Sequence, residues 1–217
     1  MGFANKLIGW TSNNGAEVNA DGAQKVVDIG APGNHYGLAA KTGTIAAAAA
    51  AGAAVFAMRV NPGYGGKAVI DCIKVRFTCI VAFTTPITQT RSLVLTRGAG
   101  AATAGGTSLP TAVKKDTAYG LSQTDVATGG DVRISTTGAL TVTGITFETQ
   151  NLGEMTLAHV GAAGAYYEHV YEFTQRSHPM ELNAGEVLAL RVGPSAMDAA
   201  GTWAVGIEVQ WHETTDA

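Results

Sequence analysis

A chain of 217 residues is long enough for one sizeable core, and all-β sandwiches of this length commonly form a single domain. Only 14% of the residues are charged, against about 25% in an average soluble domain, and 28 are glycine, so much of the surface must be Ala, Thr, Ser, Gly and backbone. The formal net charge of −3 excludes a general electrostatic pull toward nucleic acid or an anionic membrane.

The N-terminal stretch MGFANKLIGWTSNNGAE places a single Lys before a few apolar residues and has no long hydrophobic region, so it does not read as a secretion signal. A cytoplasmic protein is expected, with residues 1–20 as an arm and 21–217 as one domain. Next come HYGLAAKTGTI, short and roughly alternating, and the alanine run of TIAAAAAAGAAVFAMRV. The uncharged span 45–58 is shorter than the ~20 residues a membrane crossing needs. A helix there would lack a polar stripe and a convincing cap, Gly52 interrupts it, and β-branched residues flank it. The reading is strand, alanine-rich connection, strand, closed by the flexible turn Pro62-Gly63-Tyr64-Gly65-Gly66-Lys67, which lacks phosphate-loop spacing.

KAVIDCIKVRFTCIVAF is expected to be one strand. Val69, Ile73, Val75, Phe77, Cys79, Val81 and Phe83 are assigned to its core face, and Ile70, Lys74, Arg76 and Thr78 to the other. Cys72 and Cys79 then point to opposite faces roughly 23 Å apart, too far for a disulfide, and no CxxC pair suggests zinc. RSLVLTRG reads as a strand, whereas GAGAATAGGTSLPTAVKKDTAYG lacks periodicity and reads as a long surface loop. Short strands and turns follow through residues 129–150, then GEMTLAHV and AYYEHVYEFT. In the latter, Tyr167, His169, Tyr171 and Phe173 share one face and Glu168, Val170 and Glu172 the other. ELNAGE predicts a tight turn with Gly185 at positive φ, feeding the strand VLALRV. TWAVGIEVQWHE places Trp203, Val205, Ile207, Val209 and Trp211 on a core face opposite Thr202, Ala204, Glu208, Gln210 and His212. The sum is eight to ten short strands: an all-β antiparallel sandwich or jelly roll with long Gly/Ala/Thr-rich loops.

Signals for chemistry are weak. Ser195 sits in Gly193-Pro194-Ser195-Ala196, a loop without a nucleophile elbow. His159, His169, His178 and His212, with Glu168 and Glu172, lack metal-ligand spacing, so convergence depends on the fold. Glu181 and Glu186 flank one turn, where charges are usually solvated. No catalytic residue, metal or cofactor is expected.

The segment order HYGLAAKTGTI, VFAMRVNP, KAVIDCIKVRFTCIVAFT, TRGAGAATAGGTSLPTAVKKDT, DVRISTTGALT, PMELNAGEVLALRVG and GTWAVGIEVQWHE resembles the small virion structural proteins of tailed bacteriophages. The likeness rests on Phe56-Ala57-Met58-Arg59, the Gly105-Gly106-Thr107 loop, a hairpin over 131–140, and the 182–186 turn with the 203–213 strand. It implies a non-enzymatic jelly-roll protein of the virion, assembled in the host cytoplasm. As a decoration or cement protein, commonly trimeric, it would bridge subunits of the major capsid protein. The alternative is a neck, tail or fibre component that binds a receptor or glycan. The expected contact residues are Trp10 in the arm, Tyr64 in the glycine-rich turn, and Lys114, Lys115 and Tyr119 in the long loop, with no nucleic-acid or membrane partner.

Overall fold

A computed structural model describes residues 17–18, 24–25, 34–46, 49–83, 91–101, 103–157, 163–173, 179–198 and 200–215. The chain divides into two units, Met1–Gly33 and Asn34–Ala217. In the first, β1 (Glu17–Val18) and β2 (Gln24–Lys25) pair antiparallel. The expected boundary at residue 20 and most of the arm lie outside the described residues.

The second unit begins with β3 (Asn34–Lys41), β4 (Ile45–Ala46), β5 (Ala54–Arg59), β6 (Gly66–Val81) and β7 (Arg91–Gly100). Two-residue strands β8 (Thr107–Ser108) and β9 (Val113–Lys114) follow, then β10 (Asp131–Ile134), β11 (Ile145–Phe147) and β12 (Gly153–Leu157). The chain closes with β13 (Tyr166–Glu172), β14 (Met180–Leu182), β15 (Glu186–Val192) and β16 (Thr202–Thr215). Sheet I has the order β11-β7-β15-β5-β10-β8, with β12 beside β11 on the same edge of β7. Sheet II has the order β13-β6-β16-β3-β9, with β14 continuing the β13 edge and β4 the β3 edge. All pairings are antiparallel.

This order is the winding of a jelly roll. Taking β4 with β3 and β14 with β13, whose edges they continue, and apart from the step from β7 to β11 and β12 and the excursion through β8, β9 and β10, successive strands alternate between the two sheets. The last two strands enter the sheet centres, β15 between β5 and β7, and β16 between β3 and β6. The ELNAGE turn is one of the crossings. Gly185 has the expected positive φ of 76°, and the Glu186 N–H donates to the Asn183 carbonyl at 3.0 Å. The strands on either side of it belong to different sheets.

The core lies between the sheets. Phe56, Met58, Leu93, Leu95, Leu188 and Leu190 from sheet I meet Ile73, Val75, Phe77, Trp203, Val205, Ile207, Val209 and Trp211 from sheet II. Phe77 stacks on Trp203 with ring centroids 5.6 Å apart, and Tyr36 stacks on Trp211 at 5.8 Å. Each large apolar side chain buried in this way contributes roughly 1.5–3 kcal/mol relative to exposure.

β16 keeps its expected alternation along its whole core face, but β6 does not. Gln210 pairs with Cys72 while the next residue, Trp211, pairs with Ile70, so Asp71 is an extra residue in β6. This β-bulge reverses the inward and outward phase of the strand. N-terminal to it, Ala68 and Ile70 face the core; beyond it, Ile73, Val75, Phe77 and Cys79 do. The expected assignments of Ile70 to the outer face and Val69 to the core are therefore exchanged. A second slip, where Thr202 pairs with Val81 and Trp203 with Cys79, leaves Val81 exposed rather than in the core. Both cysteines are free, Cys79 buried and Cys72 half-buried.

Two further expectations are revised. Residues 131–140 do not form a hairpin: β10 pairs with β5 and β8, and the Leu140 N–H donates to the Ala54 carbonyl at 2.8 Å. The long loop supplies the edge strand of each sheet, β8 on sheet I and β9 on sheet II. The alanine run is a connection as expected where it is described, with a turn that bonds the Ala53 N–H to the Ala50 carbonyl at 3.0 Å.

Candidate functional site

The two sheets differ in what covers them outside. On sheet I the outward side chains Ala54, Ala57, Val187 and Ala189 are fully buried, because the segment after β10 packs on them with Leu140 and Val142, together with Ile145 and Phe147 of β11. The Arg191 guanidinium sits 4.1 Å from the centroid of the Phe147 ring, and its Nε–H donates to the Gly52 carbonyl at 2.9 Å. The outer face of sheet II and the loop bearing β8 and β9 are where polar and apolar groups reach solvent together.

The loop is held rigidly. Burial pushes the Asp125 carboxyl above its ordinary range, against the pull of two backbone donors. Its Oδ1 accepts the Ala112 N–H at 2.7 Å and its Oδ2 the Ser122 N–H at 3.1 Å. The neighbouring Glu213, at the end of β16, accepts from Ser122 Oγ at 2.5 Å, from the Gln123 N–H at 2.8 Å and from Trp211 Nε1 at 3.3 Å. Desolvation raises this carboxyl too. Tyr36 adds a hydrogen bond from its hydroxyl to the Gly120 carbonyl at 3.2 Å, and burial pushes its pKa up to about 12. The Ser122 hydroxyl donates to the Glu213 carboxylate and lies 2.9 Å from Thr124 Oγ1, which makes it part of this clamp.

Next to the groups that Asp125 holds, three large apolar side chains face solvent: Val113 at 64%, Val126 at 48% and Leu121 at 44% exposure. Lys114 is half-buried on β9, and Lys115 is exposed. The Lys115 backbone N–H donates to the His35 carbonyl at 2.9 Å, and its side chain lies over Gly37, where a β-carbon would come within 3.2 Å of Cε. Tyr119 is half-buried, its ring 6.3 Å from that of Tyr36. Of the expected contact residues, Lys114, Lys115 and Tyr119 lie along this loop, with Lys114 paired to the core-facing Tyr36 and Val113 to Gly37 on the other side of β9. Tyr64 packs against the core with its hydroxyl donating to the Thr214 carbonyl at 3.1 Å, and its turn is tied to the loop where Asn61 Nδ2 donates to Gln123 Oε1 at 3.0 Å. Trp10 lies outside the described residues, as do His159 and His178.

The outer face of sheet II carries a charged ladder. Glu168 meets Lys74 at 3.1 Å and Arg76 at 2.8 Å, and Arg76 also reaches Glu208 at 2.7 Å. The Tyr166 hydroxyl donates to Glu168 at 2.6 Å. Hydrogen bonds from Tyr166, Arg76 and Lys74 hold the Glu168 carboxyl down at about 2. Beside the ladder, a groove of about 420 Å³ is lined by Ala39, Lys41, Arg76, Tyr166, Gly206 and Glu208.

Farther along the same sheet, His35 on β3 and His212 on β16 are direct cross-strand partners. Their ring centroids are 5.2 Å apart, and His212 Nδ1 lies 2.9 Å from Asp71 Oδ1, on the bulge of β6. Sequence reasoning singled out His212 but neither His35 nor Asp71. Of the described residues weighed with it, His169 lies tilted against Tyr171 with ring centroids 4.3 Å apart, and Glu168 belongs to the ladder. Glu181 pairs with Lys67 at 2.9 Å while Glu186 accepts the Asn183 N–H at 2.7 Å, so these two carboxylates form no acid–base pair.

Comparison of the chain with protein-family models and with curated proteins returns no match.

Proposed function

We propose that this chain is a non-enzymatic structural protein of the tailed-bacteriophage virion, a decoration protein that bridges neighbouring major capsid subunits and acts as a homotrimer. The observation that carries this reading is the loop surface around Asp125. Three exposed apolar side chains, a lysine doublet and a half-buried tyrosine are presented on a backbone clamped by two buried carboxylates. A surface ordered before its partner arrives loses less conformational entropy on binding, and exposed apolar groups rimmed by polar ones mark interaction sites. The low charge content and the jelly-roll winding fit a protein whose surface is meant to be covered. Its mechanism is linkage: a protein that binds the assembled shell better than separated subunits stabilises the shell.

Co-sedimentation with heads assembled without this protein tests the reading, together with light scattering for its own mass. Saturable binding at a fixed ratio, raised heat resistance of the heads, and loss of both in Val113→Asp and Leu121→Asp are expected. Absence of binding by the well-folded wild-type chain overturns it. The Tyr166 groove favours a second reading, a glycan-binding tail or fibre module, because an aromatic face beside charged groups suits a sugar ring. Glycan binding abolished by Tyr166→Ala, with indifference to heads, would select it.

A further inference from the structure

We propose that His35, Asp71 and His212 form a binding site for a single borderline divalent transition-metal ion, with Zn²⁺ as its representative. The three residues are far apart in the chain and converge only because β3, β16 and β6 lie side by side in sheet II. His35 and His212 face each other across one pairing and share the outer face. On β6 the residue paired with His212 is Val69, and Asp71, two places on, lies on the same outer face, where it is the residue that the ladder leaves without a partner on β16. The bulge supplies the extra residue, and that residue is the carboxylate: Asp71 Oδ1 stands 2.9 Å from His212 Nδ1. Bulges commonly re-aim a side chain in this way next to functional sites.

Donor atoms from the three side chains all lie within 4.8 Å of one another. Two ligands bonded to one ion at about 2.1 Å can be at most about 4.2 Å apart, so small rotations of the exposed His35 ring and the half-buried His212 ring complete the set. The donors are two imidazoles and one carboxylate. Imidazole suits Zn²⁺, Ni²⁺, Cu²⁺ and Fe²⁺ and disfavours Ca²⁺ and Mg²⁺, which take oxygen ligands. Three protein ligands leave at least one coordination position for water or for a group from a partner. That position opens toward a groove of about 500 Å³ lined by Lys67, Val69, Phe173, Pro179, Glu181 and Thr214 together with Asp71 and His212. The Lys67–Glu181 ion pair in this lining neutralises its own charges and leaves the cluster's carboxylate as the anionic ligand.

The test is calorimetric titration of tag-free, chelator-treated protein with Zn²⁺, supported by the visible absorption of bound Co²⁺. One ion per chain is expected. His35→Ala, His212→Ala and Asp71→Asn should each weaken binding by at least ~10-fold. His169→Ala, on β13 and outside the cluster, should leave it unchanged. Binding that survives substitution of both His35 and His212, or no binding by the wild-type chain, overturns the proposal. If a variant does not fold, anomalous scattering from Zn²⁺-soaked wild-type crystals decides: a peak between the three side chains supports the site, and a peak only elsewhere overturns it.

Discussion

The central strands β5 and β15 of sheet I are covered on both faces and those of sheet II on one, and the side chains record the difference. The outward positions of β5 and β15 include Ala54, Ala57, Val187 and Ala189, small or apolar because a second layer of chain rests on them, with Arg191 over the Phe147 ring beside them. The outward positions of β6 and β16 include Lys74, Arg76, Glu208 and His212, with Glu168 beside them on β13. A sheet sealed on both sides reads as an almost continuous apolar run, whereas one open to water alternates. Among the described residues, the charged ladder and the histidine pair therefore lie on sheet II.

Four substitutions can break or sharpen that contrast. The largest effect is expected at the buried ion pair between Arg91 at the start of β7 and Asp198. Asp198→Ala leaves a buried guanidinium without its carboxylate, which should cost about 3–5 kcal/mol in urea unfolding. Leu140→Ala removes the anchor of the layer over sheet I and should cost about 2–4 kcal/mol, with faster hydrogen exchange in β5 and β15 but not in β16. Asp125→Ala, which strips two backbone N–H groups of their acceptor, should cost about 1–3 kcal/mol and loosen residues 109–130 selectively. Lys67→Ala on the open sheet should stay within about 1 kcal/mol of the wild type, since its partner Glu181 remains hydrated. A destabilisation at Lys67 comparable to that at Leu140 would erase the contrast.

The open face also has a pH signature. Glu168 is depressed from its ordinary value to about 2, so the folded chain binds this proton less readily than the unfolded one. Its contribution to stability is thus complete above the ordinary carboxylate range and is lost as pH falls toward about 2. Carboxyl NMR titration should show Glu168 ionised well below pH 4, and Tyr166→Phe should raise its midpoint.

How much of this could be read in advance followed the same division. β16 was fully legible, because one solvated face leaves a clean period of two from Trp203 to Trp211. The alanine run was legible from Gly52 and its β-branched flanks. β6 was misread in part, since the bulge at Asp71 and the slip near Ile80 shift the phase without any Gly or Pro to mark them. The supposed hairpin over 131–140 failed because β10 finds its partners in β5 and β8, distant in the chain, and local turn residues carry no information about that pairing. Lys114, Lys115 and Tyr119 drew attention to the loop in the sequence, but Asp125 and Glu213, which hold its backbone, did not. The trio His35, Asp71 and His212 needed both the strand order and the bulge. The one available signal was that His212 falls on the solvated side of a strongly alternating strand.

The most direct test of the account is hydroxyl-radical footprinting of the chain, free and bound to heads. Protection should fall on Val113, Leu121, Val126 and Tyr119, while Val142 and Phe147 over sheet I keep their free-state reactivity. Protection of Val142 and Phe147 with an unchanged loop would place the contact on sheet I and contradict the account.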